Sequence, residues 1–285
     1  FFNEIKRYTE NNVFGLDLNP NLVKACKMNM VLNNDGSGSL FQSNSLENFH
    51  KFKDEFKNKL NIKSSENLGK FDVVITNPPF GSKIPIDDPN ILELYELGFI
   101  WEKKENHFIK TDRLQKSVPP EILFIERCVN FLKVGGRMGI VLPDAILGAP
   151  GLQYVRSWLL AKTQILASID LHKDTFQPKN GTQTSVLILK KKNEKDKNIK
   201  APVFISIVEK VGHDKRGKIT FKRDDFGNEI IEKKIKEIVV KKNNVNQISK
   251  VITKEKIIDD QTPEVAQIFE LWKKRNKNKF KDFDF

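Results

Sequence analysis

Cysteine and long apolar runs are both scarce in this 285-residue sequence. Cys26 and Cys128 are its two cysteines, and both lie among apolar neighbours. A disulfide framework and a zinc cluster are therefore excluded, and a reducing cytoplasm is favoured. No apolar run approaches about 18 residues, and nothing at the start is typical of a signal peptide. These absences predict a soluble protein without a membrane segment, large enough to fold as one large or two small domains.

The composition is that of an ordinary globular protein with an uneven positive charge. Apolar residues make up 39% and charged residues 30% of the chain, which excludes intrinsic disorder. The net charge is +12, and residues 190–285 contribute 26 Lys and Arg against 16 Asp and Glu. A basic last third suggests a polyanionic partner such as nucleic acid. The codon usage of an AT-rich genome, which enriches Lys and Asn, explains the bias equally well.

Strand and helix signals alternate up to residue 189. Asn19 and Pro20 begin a helix that ends near Leu32, and a second helix begins at Pro119-Pro120-Glu121 and is closed by Gly135-Gly136. Strands are predicted at 13–17, 39–43, 71–76, 137–142, 165–171 and 184–189. This alternation predicts an α/β fold with a doubly wound, mostly parallel sheet.

Two further regions interrupt or follow this alternation. Residues 81–117 form a long polar insertion, and connections of that length are usually functional. Beyond residue 190 come basic stretches, a turn at 225–228 and a helix capped by Thr262-Pro263-Glu264. That helix is expected to place four apolar residues on one face: Val265, Ile268, Phe269 and Trp272. We therefore predict a first domain over residues 1–195 and a basic C-terminal extension with a terminal helix over residues 196–285.

Polar residues at the carboxyl ends of the predicted strands are the candidates for a ligand site, because open α/β sheets bind ligands there. Asp17 ends the first predicted strand, where dinucleotide-type folds place a carboxylate that accepts hydrogen bonds from ribose hydroxyls. A surface Asp at a helix N-terminus is the alternative. Asn44-Ser45 follows the second strand and by itself indicates little more than a turn.

The segment Asn77-Pro78-Pro79-Phe80 is the most specific signal. Two consecutive prolines cannot continue a strand or a helix, since each fixes φ and removes an N–H, so they hold the chain rigid at the sheet edge. An Asn before them offers a planar acceptor and donor beside free backbone carbonyls. These acceptors suit an exocyclic amine.

This segment resembles the catalytic motif of N6-adenine DNA methyltransferases. Other segments, in order and spacing, are similar to the modification subunits of type I restriction systems: 15–20, 28–30, 35–36, 135–143, 182–187 and 208–217. The resemblance covers roughly residues 13–220 and makes residues 1–195 the methyltransferase catalytic domain. It implies transfer of a methyl group from S-adenosylmethionine to the N6 amine of a flipped-out adenine in DNA, within a restriction-modification system.

The resemblance also implies roles for the motif residues. The side-chain oxygen of Asn77 and the carbonyl of Pro78 would accept the two N–H bonds of the amine, aligning its nitrogen with the methyl group. Pro79 belongs to the same rigid turn. Phe80 would stack on the flipped base, with a hydrophobic plug as its alternative role. No covalent intermediate is required, and no metal is implied.

For the cofactor, the resemblance implies that Asp17 binds the ribose and that Leu18 packs on the adenine. Asn44, with Ser45 beside it, would meet the adenine edge, where the family more often has Asp. Phe176 lies in the loop where related enzymes present a second aromatic ring to the base, although a buried loop anchor fits it equally well. Lys215 and Arg216 are expected to contact DNA phosphates.

One family feature has no match. The glycine-rich loop that normally cradles the methionine part of the cofactor, after the first strand, is not found. Because that strand lies between those ending at Asp17 and Thr76, a gap of about twice the 4.8 Å strand spacing is expected in the sheet centre. The chain beginning at Phe1 is therefore interpreted as a piece of a longer protein.

The expected partners are DNA, a separate specificity subunit and, in some systems, a nuclease subunit. A protein-glutamine methyltransferase, which uses a related Asn-Pro-Pro motif typically followed by Tyr, is one alternative function. A non-catalytic DNA-binding scaffold is the other. A thiolate mechanism is disfavoured, because Cys26 and Cys128 lie in helical patterns without a Pro-Cys context.

Overall fold

A computed structural model describes residues 2–33, 38–80, 84–105, 107–193, 201–242 and 245–276. The chain divides into two units, which are described separately. The first comprises Phe1–Ala167 and Leu187–Pro202, and the second comprises Ser168–Val186 and Val203–Phe285. The predicted boundary near residue 195 lies outside the described residues and stays a prediction.

The first unit contains most of the helices. They are α1 (Phe2–Asn12), α2 (Pro20–Leu32), α3 (Asp54–Leu60), α4 (Pro89–Leu92), α5 (Pro120–Phe131), α6 (Asp144–Gly148) and α7 (Gln153–Lys162). Its strands are β1 (Gly15–Asp17), β2 (Leu40–Gln42), β3 (Phe71–Thr76), β4 (Phe99–Lys104), β5 (His107–Leu114) and β6 (Leu132–Pro143). Strands β7 (Thr163–Asp170) and β8 (Thr184–Lys191) contribute residues to both units. The second unit adds β9 (Phe204–Ile207), β10 (Ile231–Lys242), β11 (Val245–Lys256) and α8 (Thr262–Asn276).

The central sheet has five strands in the order β3-β6-β8-β7-β9, and β3 pairs with β6 in parallel. A separate parallel pair is formed by β1 and β2, with Asp17 opposite Gln42. Two antiparallel hairpins complete the strands, β4–β5 and β10–β11. The prediction of an α/β fold with a mostly parallel sheet is confirmed.

Helix α5 lies at the centre of the main apolar core. Ten of its twelve residues are buried, among them Glu121, Glu126 and Arg127. The core also contains Met138, Ile140 and other side chains of β6, which alternates buried and half-buried positions as a covered strand does. A second cluster is mainly aromatic and consists of Phe41, Phe49, Phe52, Phe56, Ile62, Leu68 and Phe131.

The structure corrects the predicted end of the second helix and the predicted start of the strand that follows it, β6. The second predicted helix ends at Phe131, and Gly135-Gly136 lies inside β6 rather than after the helix. Gly135 has a φ of 80°, and the pairing of β3 with β6 shifts register between Phe71 and Val73. The two glycines therefore lie in an irregular stretch of β6, for which the left-handed conformation of Gly135 is suited.

The insertion after Phe80 is not simply polar. It forms α4 and the β4–β5 hairpin, and it contributes buried side chains to the main core: Leu92, Tyr95 and Leu97 are each no more than 1% exposed. Among the described residues, no helix is long and apolar enough to span a membrane.

Candidate active site

The first strand end supplies a carboxylate held in place by the backbone. β1 ends at Asp17, and the backbone N–H of Asn19 donates to Asp17 Oδ1 at 2.7 Å. The Asn19 side chain in turn accepts from the N–H of Asn21 and caps α2, which begins at Pro20 as predicted. The second carboxylate oxygen of Asp17 has no partner among the described residues, so it is available to a ligand hydroxyl.

The second strand end is the rigid turn after β3. β3 ends at Thr76, as the sequence predicts, and Asn77 follows it with an exposed side chain that has no hydrogen-bond partner among the described residues. Pro78 is buried, Pro79 is exposed and Phe80 is half-buried. The turn is therefore anchored by Pro78 and presents the amide of Asn77 outward.

One cavity joins these strand ends. It has a volume of about 580 Å³, and it is lined by all eight residues that the sequence proposed for catalysis and cofactor binding in this unit: Asp17, Leu18, Asn44, Ser45, Asn77, Pro78, Pro79 and Phe80. The carboxyl ends of β1 and β3 and the loop after β2 therefore border one space, as expected of a ligand site in an open α/β fold. The cavity is large enough for a small-molecule ligand.

The family comparison agrees with this geometry. The family model of the N-6 DNA methylases matches residues 2–269. The chain belongs to this family. The match covers nearly the whole chain, including both strand ends and the residues that line the cavity, and it confirms the predicted family.

Three solved structures illustrate the likeness of this methylase chain to known proteins. The M protein of the type I restriction enzyme EcoKI is 24% identical, with a TM-score of 0.47, over 73% of this chain and 38% of that chain. A modification subunit assigned to a type I restriction enzyme from Vibrio vulnificus YJ016 is 17% identical, with a TM-score of 0.45, over 72% and 36% of the two chains. A chain from a type I R-M system studied for its complex assembly is 21% identical, with a TM-score of 0.46, over 72% and 34%. The chain thus spans little more than a third of the length of these proteins.

The loop that carries Asn44 and Ser45 is fixed by hydrogen bonds. The Asn44 side-chain oxygen accepts from the backbone N–H of Leu46 at 3.1 Å, and its nitrogen donates to Glu47 Oε1 at 3.4 Å. Asn44 is therefore held by its own turn, and one lone pair of its oxygen and one N–H of its nitrogen remain for a ligand. An Asp at this position could use one carboxylate oxygen for the turn and keep the other oxygen free for a ligand.

Tyr95 and Arg127 form a buried pair behind that loop, which was not predicted from the sequence. Tyr95 Oη donates to the carbonyl of Leu46 at 2.7 Å, and Arg127 Nη2 donates to the carbonyl of Glu47 at 2.8 Å. Burial raises the pKa of Tyr95 despite the nearby Arg127 charge. The sequence signal was weak, since a polar residue in an apolar helix such as α5 is usually exposed.

The same helix carries a second buried charge. Glu126 accepts the backbone N–H groups of Glu96 and Leu97, both at 2.9 Å. Burial raises the Glu126 pKa to about 7, although these two hydrogen bonds act to lower it. Glu126 thereby attaches the insertion to α5, directly before the β4–β5 hairpin.

Apolar residues from the insertion and from α5 complete the cavity wall, and the sequence reasoning assigned them no site role. They are Ile84, Ile86, Pro120 and Phe124. Phe124 also borders a second cavity of about 240 Å³, which lies between β1 and β3. Among the described residues β1 pairs with β2 and β3 pairs with β6, so the two strands do not pair with each other. This arrangement agrees with the expected gap in the sheet.

The remaining predicted site residues belong to the second unit. Phe176 is half-buried and its carbonyl accepts from the N–H of Asn180 at 2.9 Å. Lys215 and Arg216 are exposed in a turn whose Asp214 accepts from the N–H groups of Arg216 and Lys218. The roles expected for these three residues stay predictions.

Proposed function

We propose that the protein transfers a methyl group from S-adenosylmethionine to the N6 amine of an adenine that has been flipped out of DNA. The observation that supports this most directly is the shared cavity, in which the carboxylate of Asp17 and the amide of Asn77 line one space of about 580 Å³. The membership in the N-6 DNA methylases supports the same chemistry. S-adenosylmethionine supplies an electrophilic methyl group on a sulfonium.

The described residues fit the adenosine part of this cofactor. The free oxygen of Asp17 suits a ribose hydroxyl, and the side chain of Leu18, 65% exposed at the cavity, suits the face of an adenine ring. Asn44 offers one remaining lone pair to the adenine amine. No described residue is assigned to the methionine part.

Asn77 would act on the substrate amine. The lone pair of an adenine amine is delocalised into the ring, so acceptors that receive hydrogen bonds from its two N–H groups favour a more tetrahedral and more nucleophilic nitrogen. The Asn77 side-chain oxygen is free to do this, and the Pro78 carbonyl is the second acceptor proposed. Phe80 would stack on the base. Holding the amine in line for methyl transfer lowers the barrier by positioning.

DNA is the partner in this proposal, and a separate specificity subunit would select the target sequence, with a nuclease subunit in a full restriction system. Phe176 would approach the base, and Lys215 and Arg216 would contact phosphates. The cytoplasmic location stays a prediction.

The experiment is methyl transfer from tritiated S-adenosylmethionine by the full-length protein, with DNA and a protein acceptor offered in parallel. We expect label in DNA, lost almost completely in Asn77→Ala, while cofactor affinity changes little because Asn77 acts on the amine. Asn90→Ala, at the start of α4, is the matched control. Label in the protein acceptor would favour the glutamine methyltransferase, and label in neither acceptor would favour a non-catalytic scaffold. Near-normal turnover by Asn77→Ala would contradict the role assigned to Asn77.

A further inference from the structure

The second unit carries a long two-stranded ribbon, β10–β11. Its strands are twelve residues each and pair antiparallel from Ile231 opposite Lys256 to Lys242 opposite Val245. Residues 231–256 include eight Lys and three Glu. Within the described part of the chain, the ribbon pairs with no other strand. It is therefore a basic element that forms a sheet of its own.

The described side chains at the base of the ribbon divide unequally between its two faces. Residues that pair directly share a face, and alternate residues along a strand share it too. One face, called here the lysine face, holds Ile231, Lys233, Ile235, Ile252, Lys254 and Lys256. The other holds Glu232, Lys234, Thr253 and Glu255. The lysine face has three positive charges and no carboxylate, whereas the other face has two carboxylates for one lysine.

Lys233 and Lys254 are directly opposite each other on the lysine face. Like charges at directly opposed positions destabilise an antiparallel pair, and neither lysine has an ion-pair partner among the described residues. Lys256, by contrast, is neutralised by Glu229 at 2.6 Å. An anion above the Lys233–Lys254 pair would remove the repulsion.

The apolar row beside this pair is also exposed. Ile235 and Ile252 are opposite each other, and each is 65% exposed. On the other face, Lys234 is paired with Glu255 at 3.4 Å. Alternating cationic and apolar rows suit a surface that carries both phosphate charge and apolar edges, such as the sugar rings of a nucleic-acid backbone.

We propose that the lysine face binds the sugar-phosphate backbone of duplex DNA, with Lys233 and Lys254 contacting phosphates. This inference rests on the proposed function, which makes DNA the substrate. A B-DNA major groove admits a two-stranded ribbon, and at about 3.4 Å per residue the twelve-residue strands extend about 40 Å, about one helical turn. The contact is non-specific, because phosphates carry no sequence information.

The test is a titration of a fluorescent duplex with the full-length protein at several salt concentrations, read by anisotropy. We expect the double variant Lys233→Gln/Lys254→Gln to bind more weakly and to lower the salt slope by about 0.9 for each lost phosphate contact. Lys234→Gln removes the same charge from the neighbouring position on the opposite face and is the matched control for Lys233→Gln. Lys254→Arg keeps the charge and should keep the affinity.

Each outcome bears on the ribbon separately from the function. If Lys233→Gln and Lys234→Gln lose equal DNA affinity, the effect comes from overall charge and the proposal is overturned. Unchanged DNA binding in the double variant would also overturn the proposal and would favour a protein partner for the lysine face. Melting curves without DNA identify any variant that fails to fold. If the protein methylates DNA but the lysine variants bind DNA normally, only the ribbon proposal is rejected. If the lysine variants weaken DNA binding but the protein transfers no methyl group, only the proposed function is rejected.

Discussion

Arg127 Nε donates a hydrogen bond to Tyr95 Oη at 2.8 Å, and both side chains are buried. Tyr95 comes from the insertion after the Asn-Pro-Pro-Phe turn, and Arg127 comes from α5. Both also donate to the carbonyl of Leu46, Arg127 at 3.3 Å. This pair therefore connects three separate segments directly behind the Asn44-Ser45 loop, so the shape of that side of the cavity depends on it.

Tyr95→Phe is expected to destabilise the protein by about 1–3 kcal/mol, because it removes a buried donor from Leu46 and a buried acceptor from Arg127. It should also weaken cofactor binding, since the loop loses part of its support. Denaturant unfolding and calorimetric titration would measure the two effects. Tyr154→Phe is the control, because its hydroxyl accepts from Gln115 at 3.1 Å and does not line the cavity wall. Equal loss of cofactor affinity in both variants would contradict the local role of Tyr95.

Glu126 predicts a pH dependence of stability. Its pKa is raised by burial from an ordinary value of 4.5 to about 7, so between these values the folded protein holds a proton that the unfolded chain has released. Stability from this group is therefore present below pH 4.5 and falls as the pH rises to about 7, by roughly 3 kcal/mol. Glu126→Gln should remove this part of the pH profile of unfolding free energy, whereas the exposed Glu66→Gln should not. If Glu126→Gln leaves the pH profile unaltered, the pKa of Glu126 is not raised in the folded protein.

Asp17→Asn tests the ribose contact. The amide oxygen can still accept from the Asn19 N–H, so the turn should survive, but the charged acceptor is lost. Hydrogen bonds to charged groups contribute about 1.5–3 kcal/mol, which corresponds to a loss of affinity for S-adenosylmethionine of about 10- to 150-fold. Calorimetry would detect it. Asp72→Asn is the matched control, because Asp72 is exposed at the other end of β3 and pairs with Lys133 at 2.8 Å. Comparable weakening in both variants would remove Asp17 from the site.

Phe80→Leu tests base stacking. Stacking of a base on an aromatic ring contributes about 1–3 kcal/mol, so capture of the flipped adenine should weaken, whereas Phe80→Tyr should retain it. The readout is the fluorescence of 2-aminopurine at the target position, which reports unstacking from the duplex. If the signal is the same in Phe80→Leu and in the unaltered protein, Phe80 does not hold the base and acts in packing instead.

The features that the sequence determined are local ones. The end of β3 at Thr76 follows from an apolar strand run and from two prolines that cannot continue it. The start of α2 follows from the side chain of Asn19 and the fixed φ of Pro20. Because parallel strands end at one edge, the sequence also predicted that Asp17 and Asn77 would come together.

Tertiary structure decided the features that depend on distant partners. The insertion contains enough charge to be predicted as polar, yet Tyr95 and Leu97 pack in the main core, where Leu46 and Glu126, far away in the chain, accept their hydrogen bonds. Similarly, Gly135-Gly136 indicates the end of a helix when considered alone, but in the structure it lies inside β6, between residues that pair with β3. A local pattern records what a segment prefers, whereas burial and register are set by which segments it packs against.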